Sequence, residues 1–143
     1  MTAELTLALS IDRARDALLV IDLQLDFMPG GALAVAEGDQ VVAPIAALLP
    51  RFQTVVATQD WHPAEHISFA ARHGLAPFAT LPLYGGDQTL WPVHCVQNTG
   101  GALFAPGLDS RRIHRVFTKG MNPLIDSYSG LYDNGHKGST GMG

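Results

Sequence analysis

The first sixty residues contain a strand, helix, strand pattern, which limits the possible folds of this chain more than any other feature. Residues 17–21 form a continuous apolar run and residues 54–58 are rich in β-branched side chains, which is typical of strands buried on both faces of a parallel sheet. Between them, apolar residues recur at helical spacing over 41–49, with Asp39 as the predicted cap and Pro50 as the stop. Because parallel neighbours need a crossover connection, this order predicts a βαβ unit.

A third run, at 115–118, is weaker but similar, and it extends the prediction to an α/β fold with a three-layer, doubly wound parallel sheet. Pro44 predicts either a bend in the helix or a later helix start. Glycines and prolines interrupt the segment 64–108, so we expect mostly loop there, with a short helix near 68–72. A loop of this length is usually functional or disordered, and its histidines favour function.

The composition is that of one globular domain without a nucleic-acid or membrane partner. The 143 residues are 47% hydrophobic and carry a net charge of -4, and the short basic cluster Arg111, Arg112 and Arg115 does not resemble a phosphate-backbone footprint. Residues 1–10 lack a basic leader, and no window of about 18 residues is predominantly apolar. A single cysteine cannot form an internal disulfide, which fits a reducing cytoplasm.

Ionisable residues follow the three predicted strands. Asp22 comes directly after the first run, Asp60 closes the second, and Lys119 follows the third. An aspartate after a strand is often only a turn former or helix cap. However, ligands of open α/β sheets bind outside the carboxyl ends of the strands. Three such residues together therefore predict a functional crevice at that edge.

A second group of residues predicts a metal site. Asp60, His62 and His66 lie within seven residues, and His94 follows further along the chain. A carboxylate with imidazoles and no thiolate suits a divalent transition ion in a working site, and zinc, manganese and iron(II) all accept such ligands. Pro63 disfavours the helix that a zinc-protease motif requires. The remaining histidines are predicted to be surface or loop residues, namely His73, His114 and His136.

Several ordered motifs resemble those of bacterial nicotinamidases, which belong to the isochorismatase-like cysteine hydrolases. The resemblance covers about residues 17–143 and rests on six segments: Asp22-Leu-Gln24-Leu-Asp26-Phe27, Gly30-Gly-Ala-Leu33, Asp60-Trp-His62-Pro-Ala-Glu-His66-Ile-Ser-Phe69, Trp91-Pro-Val-His94-Cys95-Val-Gln, Phe117-Thr-Lys119-Gly, and Asp126-Ser-Tyr128-Ser129. It implies an isochorismatase-like fold and hydrolysis of nicotinamide to nicotinate and ammonia, a step of NAD salvage in the cytoplasm.

The resemblance also implies a role for each site residue. The catalytic aspartate and lysine match Asp22 and Lys119, and the aromatic residues that enclose the pyridine ring match Phe27 and Trp91. The ligands of a divalent ion, zinc first with manganese and iron as alternatives, match Asp60, His62 and His94. The role of His66 stays open between a ligand and a pocket wall. A homo-oligomer is compatible with the family.

The family's nucleophilic cysteine lies on a later segment, and nothing in this sequence matches it. The resemblance implies that Cys95 is a buried structural residue, and that the chain is a single domain cut before its last strands and its nucleophile. We therefore expect the 143 residues to be inactive alone and poorly soluble, with an exposed apolar edge at 17–21. Two alternatives stay open: a noncatalytic fragment that binds a metal or a pyridine, and another cysteine hydrolase of the superfamily, acting on an isochorismate or carbamoyl compound.

Overall fold

The computed structural model describes residues 10–83 and 85–142, so the stretch judged for a leader lies almost entirely outside the described residues. The helix and the strands are β1 Ala17–Val20, α1 Val42–Leu48, β2 Thr54–Asp60, β3 Thr80–Leu83, β4 Gly86–Thr89 and β5 Arg115–Lys119. Three of the strands form a parallel sheet in the order β1-β2-β5. A separate antiparallel hairpin pairs β3 with β4.

The predicted βαβ unit is present as β1, α1 and β2, but the predicted helix cap is wrong. A 3-10 turn over Gly38–Val41 precedes α1, and Val41 occupies the N-cap position without a side-chain hydrogen bond. Asp39 lies inside that turn and therefore cannot cap the helix. Pro44 marks a later start, because it lies in the first turn of α1, where a backbone N–H has no partner within the helix.

The core lies on one face of the sheet, so the prediction of burial on both faces is wrong for β1. Val20, Val55 and Ala57 are buried, with α1 packed against them. On β1, side chains alternate between faces, and Leu19 is 42% exposed while Ile21 just beyond the strand is 56% exposed. Nothing within residues 10–83 and 85–142 covers these two side chains.

The segment 64–108 is more ordered than its composition predicts. It contains the β3-β4 hairpin, which sequence reasoning missed because Pro82 and the adjacent glycines are typical strand breakers. The predicted short helix is a 3-10 turn, Ala70–His73. Among the described residues, no helix is both long and apolar enough to cross a membrane.

Candidate active site

The carboxyl ends of β2 and β5 bring a carboxylate and an ammonium side by side. Asp60 and Lys119 are paired residues at the last position of the β2-β5 ladder, and Lys119 Nζ donates a hydrogen bond to Asp60 Oδ1. Lys119 Nζ also lies 3.0 Å from Asp22 Oδ2, at the end of β1. The three strand ends thus deliver Asp22, Asp60 and Lys119 to one buried cluster, as their sequence positions predict.

The charges of this cluster stabilise one another. Burial alone would raise the pKa of Asp60, but the neighbouring His62 imidazole and the positive charge of Lys119 outweigh it and lower this pKa to about 2. Burial likewise opposes charge on Lys119, yet the two carboxylates raise the pKa of this ammonium. A charged Lys119 therefore lies beside an ionised Asp60 at neutral pH.

Asp22 has a strained backbone that only the surrounding structure supports. Its φ of 46° lies in the left-handed region, which aspartate tolerates better than most side chains. Thr58, on the neighbouring strand, donates from Oγ1 to Asp22 Oδ1 at 2.7 Å and accepts from Asp22 N at 3.2 Å. Backbone strain of this kind is concentrated at functional sites. Sequence reasoning did not identify Thr58 as the residue that orients Asp22.

Two of the three buried histidines direct one ring nitrogen to a backbone carbonyl. His62 Nδ1 lies 3.0 Å from the carbonyl oxygen of Gly120, and His94 Nδ1 lies 2.8 Å from that of Pro92. An imidazole that donates from Nδ1 to a carbonyl keeps the Nε2 lone pair for a metal ion. His66 differs, because its Nδ1 lies 2.7 Å from Ser68 Oγ and its Nε2 lies 3.3 Å from the carbonyl oxygen of Ile125.

The backbone holds two of these histidines close together. The N–H of His62 donates to the carbonyl of Cys95 at 3.0 Å, and the N–H of Gln97 donates to the carbonyl of His62 at 2.9 Å. This short parallel pairing places the loop that carries His94 beside the end of β2. At Gly120, an added Cβ would collide with the His62 ring, so the turn after β5 also fixes that ring.

The donor atoms form two possible ion-binding groups that share His62. In the first, the Nε2 atoms of His62 and His94 lie 3.7 and 3.9 Å from Asp60 Oδ2. This spacing fits a small divalent ion, whose ligands at about 2.1 Å lie about 3.4 Å apart in a tetrahedron. His66 is brought together with His62 and Asp126 instead.

Burial also prepares the histidines to act as ligands. It lowers the pKa of His94, and burial followed by the neighbouring charge of His62 lowers the pKa of His66 to about 4. A histidine must be neutral to bind a metal ion. The chemistry of the donor set therefore fits a divalent cation at Asp60, His62 and His94.

A cavity of about 180 Å³ opens beside this cluster. Phe27 and Trp91 both line it, next to Asp60, His94 and Lys119. The other lining residues were not assigned roles from the sequence, although all four belong to motifs quoted for the family: Leu33, Asp126, Ser127 and Tyr128. The cavity thus has aromatic walls and a charged floor beside the candidate ion ligands, which suits a small flat polar molecule.

Cys95 is unsuited to act as a nucleophile. Its side chain is fully buried, and burial, followed by the negative charge of Asp60, raises the pKa of the thiol far above its ordinary value. A thiol must ionise to attack or to bind a metal. The structure therefore favours the structural role expected for Cys95.

The parallel sheet, with the site at its carboxyl edge, has an α/β fold that an isochorismatase-like hydrolase 20% identical to this chain shares. No family model matches the chain, but individual proteins do. The chain is 51% identical to the nicotinamidase of Escherichia coli over 130 residues, which are 88% of this chain and 61% of that protein. Over 88% of its length the chain is therefore a relative of the nicotinamidases. It spans about three fifths of the length of the curated relatives that it matches.

Solved structures agree with the sequence comparison. A nicotinamidase-pyrazinamidase of Acinetobacter baumannii is 47% identical with a TM-score of 0.84, over 88% of this chain and 61% of that chain. The pyrazinamidase of Pyrococcus horikoshii, solved in complex with zinc, is 41% identical with a TM-score of 0.62, over 80% of this chain and 56% of that chain.

Proposed function

We propose that this protein hydrolyses nicotinamide to nicotinate and ammonia, and thereby serves NAD salvage in the cytoplasm. The contact of Lys119 with both Asp22 and Asp60, beside an aromatic cavity, carries the proposal. The nicotinamidase relatives supply the reaction class. Nicotinamide is a flat aromatic carboxamide, and the cavity of about 180 Å³ would hold it with its ring between Phe27 and Trp91.

Each residue of the site has its own role in the proposed reaction. Asp22 takes the proton of the attacking thiol, whose sulfur bonds to the carbonyl carbon, and passes it to the amide nitrogen, which departs as ammonia when the C–N bond breaks. Water then hydrolyses the thioester, which releases nicotinate and restores the thiol. Lys119 holds the Asp22 carboxylate and favours the charged form of the incoming thiolate. Asp60, His62 and His94 hold a divalent cation, zinc first, and that cation orients the pyridine ring when bound. His66 forms the wall behind His62.

The nucleophile is the part of the reaction that these residues do not supply. Since the one thiol of the sequence is Cys95, and it is buried and resistant to ionisation, we propose that a cysteine outside the 143 residues attacks the amide. The 143 residues alone are then inactive. A noncatalytic role, binding a metal or a pyridine, is the second candidate, and the burial of Cys95 favours it for this chain taken alone.

The test measures the release of ammonia from nicotinamide by the protein purified from the organism that produces it, with zinc added to the assay. We expect turnover that Asp22→Asn and Lys119→Met abolish, while Asp109→Asn, at an exposed carboxylate, leaves it unchanged. Unaltered turnover in Asp22→Asn would contradict the proposed proton transfer. Turnover by the 143 residues that disappears in Cys95→Ala would show that Cys95 is the nucleophile after all.

A further inference from the structure

Two polar side chains that the proposed reaction does not use follow β1. Gln24 is fully buried, and Asp26, two residues later, is half-buried. A buried amide and a partly buried carboxylate need compensating hydrogen bonds to be tolerated. Their partners belong to residues of the candidate ion site or lie next to them.

Gln24 fixes the backbone of Asp60 from both sides. Its Nε2 donates to the carbonyl oxygen of Asp60 at 2.8 Å, and its Oε1 accepts from the N–H of Asp60 at 2.7 Å. Nε2 also donates to the carbonyl of Ala102 at 2.9 Å. Asp60 pairs with β5 on one side, but β1 pairs with β2 only as far as Ala57, so no strand of the described residues lies beside Asp60 on the other side. The side-chain amide of Gln24 therefore takes over the role of a neighbouring strand.

Asp26 holds the residue after His94. Its Oδ2 accepts from the N–H of Cys95 at 2.7 Å, and its Oδ1 accepts from the N–H of Ala32 at 3.2 Å. Cys95 has a φ of 45°, in the left-handed region that a cysteine rarely adopts. At Gly101, an added Cβ would collide with the Asp26 carboxylate. The Asp26 carboxylate therefore packs closely against Gly101 and stabilises the strained turn beside His94.

Both contacts come from one short segment, so that segment sets the separation of two proposed ion ligands. The Nε2 of His94 lies 3.9 Å from Asp60 Oδ2. We infer that Gln24 and Asp26 are positioning residues that hold the Asp60 carboxylate and the His94 imidazole at the spacing a divalent cation requires. This inference rests on the proposed function, because it takes Asp60 and His94 as ion ligands. Neither Gln24 nor Asp26 lines the cavity or belongs to either group of candidate ion ligands.

The expected loss of zinc affinity follows from other metal sites, where hydrogen bonds to the ligand residues orient those ligands. Loss of a group that orients a ligand weakens metal affinity by about 10–100-fold. Asp26→Asn keeps the shape of the side chain but replaces one acceptor oxygen with a donor, which then faces an N–H. Gln24→Glu keeps an acceptor for the N–H of Asp60 but loses both donors. Each variant should therefore weaken zinc binding by that factor.

The experiment measures zinc affinity of the protein by competition with a coloured chelator. Gln53→Glu is the control for Gln24→Glu, because it makes the same change of charge at an exposed position before β2. Asp109→Asn is the control for Asp26→Asn. Both controls should retain the parent affinity. If the unaltered protein binds no zinc, the proposed ion site fails; if it binds zinc and Gln24→Glu and Asp26→Asn bind it equally well, only this inference fails.

A spectrum separates positioning from simple destabilisation. Bound cobalt(II) absorbs visible light in a way that depends on ligand geometry, so the two variants should change the cobalt bands even below their unfolding temperature. A variant that unfolds earlier but keeps the parent cobalt spectrum would contradict a positioning role. Gly101→Ala provides a second route, because its Cβ would displace the Asp26 carboxylate, and it should also change the spectrum. If Asp26→Asn does not fold, the results for Gly101→Ala and Gln24→Glu decide the question.

Discussion

Two carboxylate-cation clusters in this chain use the same chemistry in opposite surroundings. At the carboxyl end of the sheet, Lys119 and Asp60 are buried, with side-chain exposures of 5% and 8%. On the surface, Arg111 Nε lies 2.7 Å from Asp109 Oδ1, with side-chain exposures of 88% and 36%. Solvent screens an exposed pair, so such pairs contribute little to stability. A buried charge left without its partner is strongly destabilising.

The largest expected effect is that of Lys119→Met, which removes the cation from between two carboxylates. We expect the free energy of unfolding to fall by about 3–5 kcal/mol, because Asp60 would be left as a buried, uncompensated charge. Urea unfolding in the presence of a chelator measures this change. Lys137→Met, at an exposed position, is the control and should change little. A loss no larger than that of the control would contradict the contrast between the two clusters.

The ion pair of Lys119 and Asp60 predicts that the stability of the folded state depends on pH in acid. Since the pKa of Asp60 falls from 3.8 to about 2 on folding, its ionised form stabilises the folded state above pH 3.8. That contribution is lost as pH falls through about 2, because the carboxylate then becomes protonated in both states. The stability difference between the parent chain and Lys119→Met should therefore shrink across this window. A difference that stays constant from pH 5 to pH 2 would show that Asp60 is not the group concerned.

Asp22→Asn should have a smaller effect on stability than Lys119→Met. The Asp22 side chain is 18% exposed, and Lys119 retains Asp60 as a partner. We expect a loss of about 1.5–3 kcal/mol, the range of a hydrogen bond to a charged group. Urea unfolding measures it. An effect as large as that of Lys119→Met would mean that Asp22, rather than Asp60, is the main counter-charge.

Thr58→Val tests the support of Asp22. The substitution keeps the shape of a fully buried side chain and removes the hydrogen bonds to the Asp22 carboxylate and N–H. We expect a loss of about 1–3 kcal/mol, since each of the two hydrogen bonds contributes about 0.5–1.5 kcal/mol net. Thr99→Val, which removes an exposed hydrogen bond to the carbonyl of Val96, is the matched control. Equal losses in the two variants would remove any special role for Thr58.

The smallest expected effect is that of Asp109→Asn on the surface. Although Arg111 and Arg112 surround this carboxylate, all three groups face solvent. We expect no measurable shift in the thermal midpoint at physiological salt. A clear decrease in the midpoint would show that exposed pairs in this chain contribute more than the comparison allows.

Sequence reasoning succeeded where a local pattern determines the outcome. The runs at 17–21, 54–58 and 115–118 became the three parallel strands, and their ends delivered Asp22, Asp60 and Lys119 to one edge. It failed where pairing overrides propensity. The β3-β4 hairpin forms despite Pro82, and Asp39 lies in a 3-10 turn rather than at the helix cap. Poor solubility of the 143 residues stays a prediction, which the exposure of Leu19 and Ile21 favours.

By itself, the sequence determined which residues stand at the carboxyl ends of the strands, because strand length and side-chain alternation are local properties of the chain. Only the tertiary structure decided the partners of those residues. Gln24 meets Asp60 across 36 positions and Asp26 meets Cys95 across 69, while His66 lies with Asp126 rather than with Asp60. Such contacts depend on how loops cross the end of the sheet, and the spacing of residues along a chain does not encode that geometry.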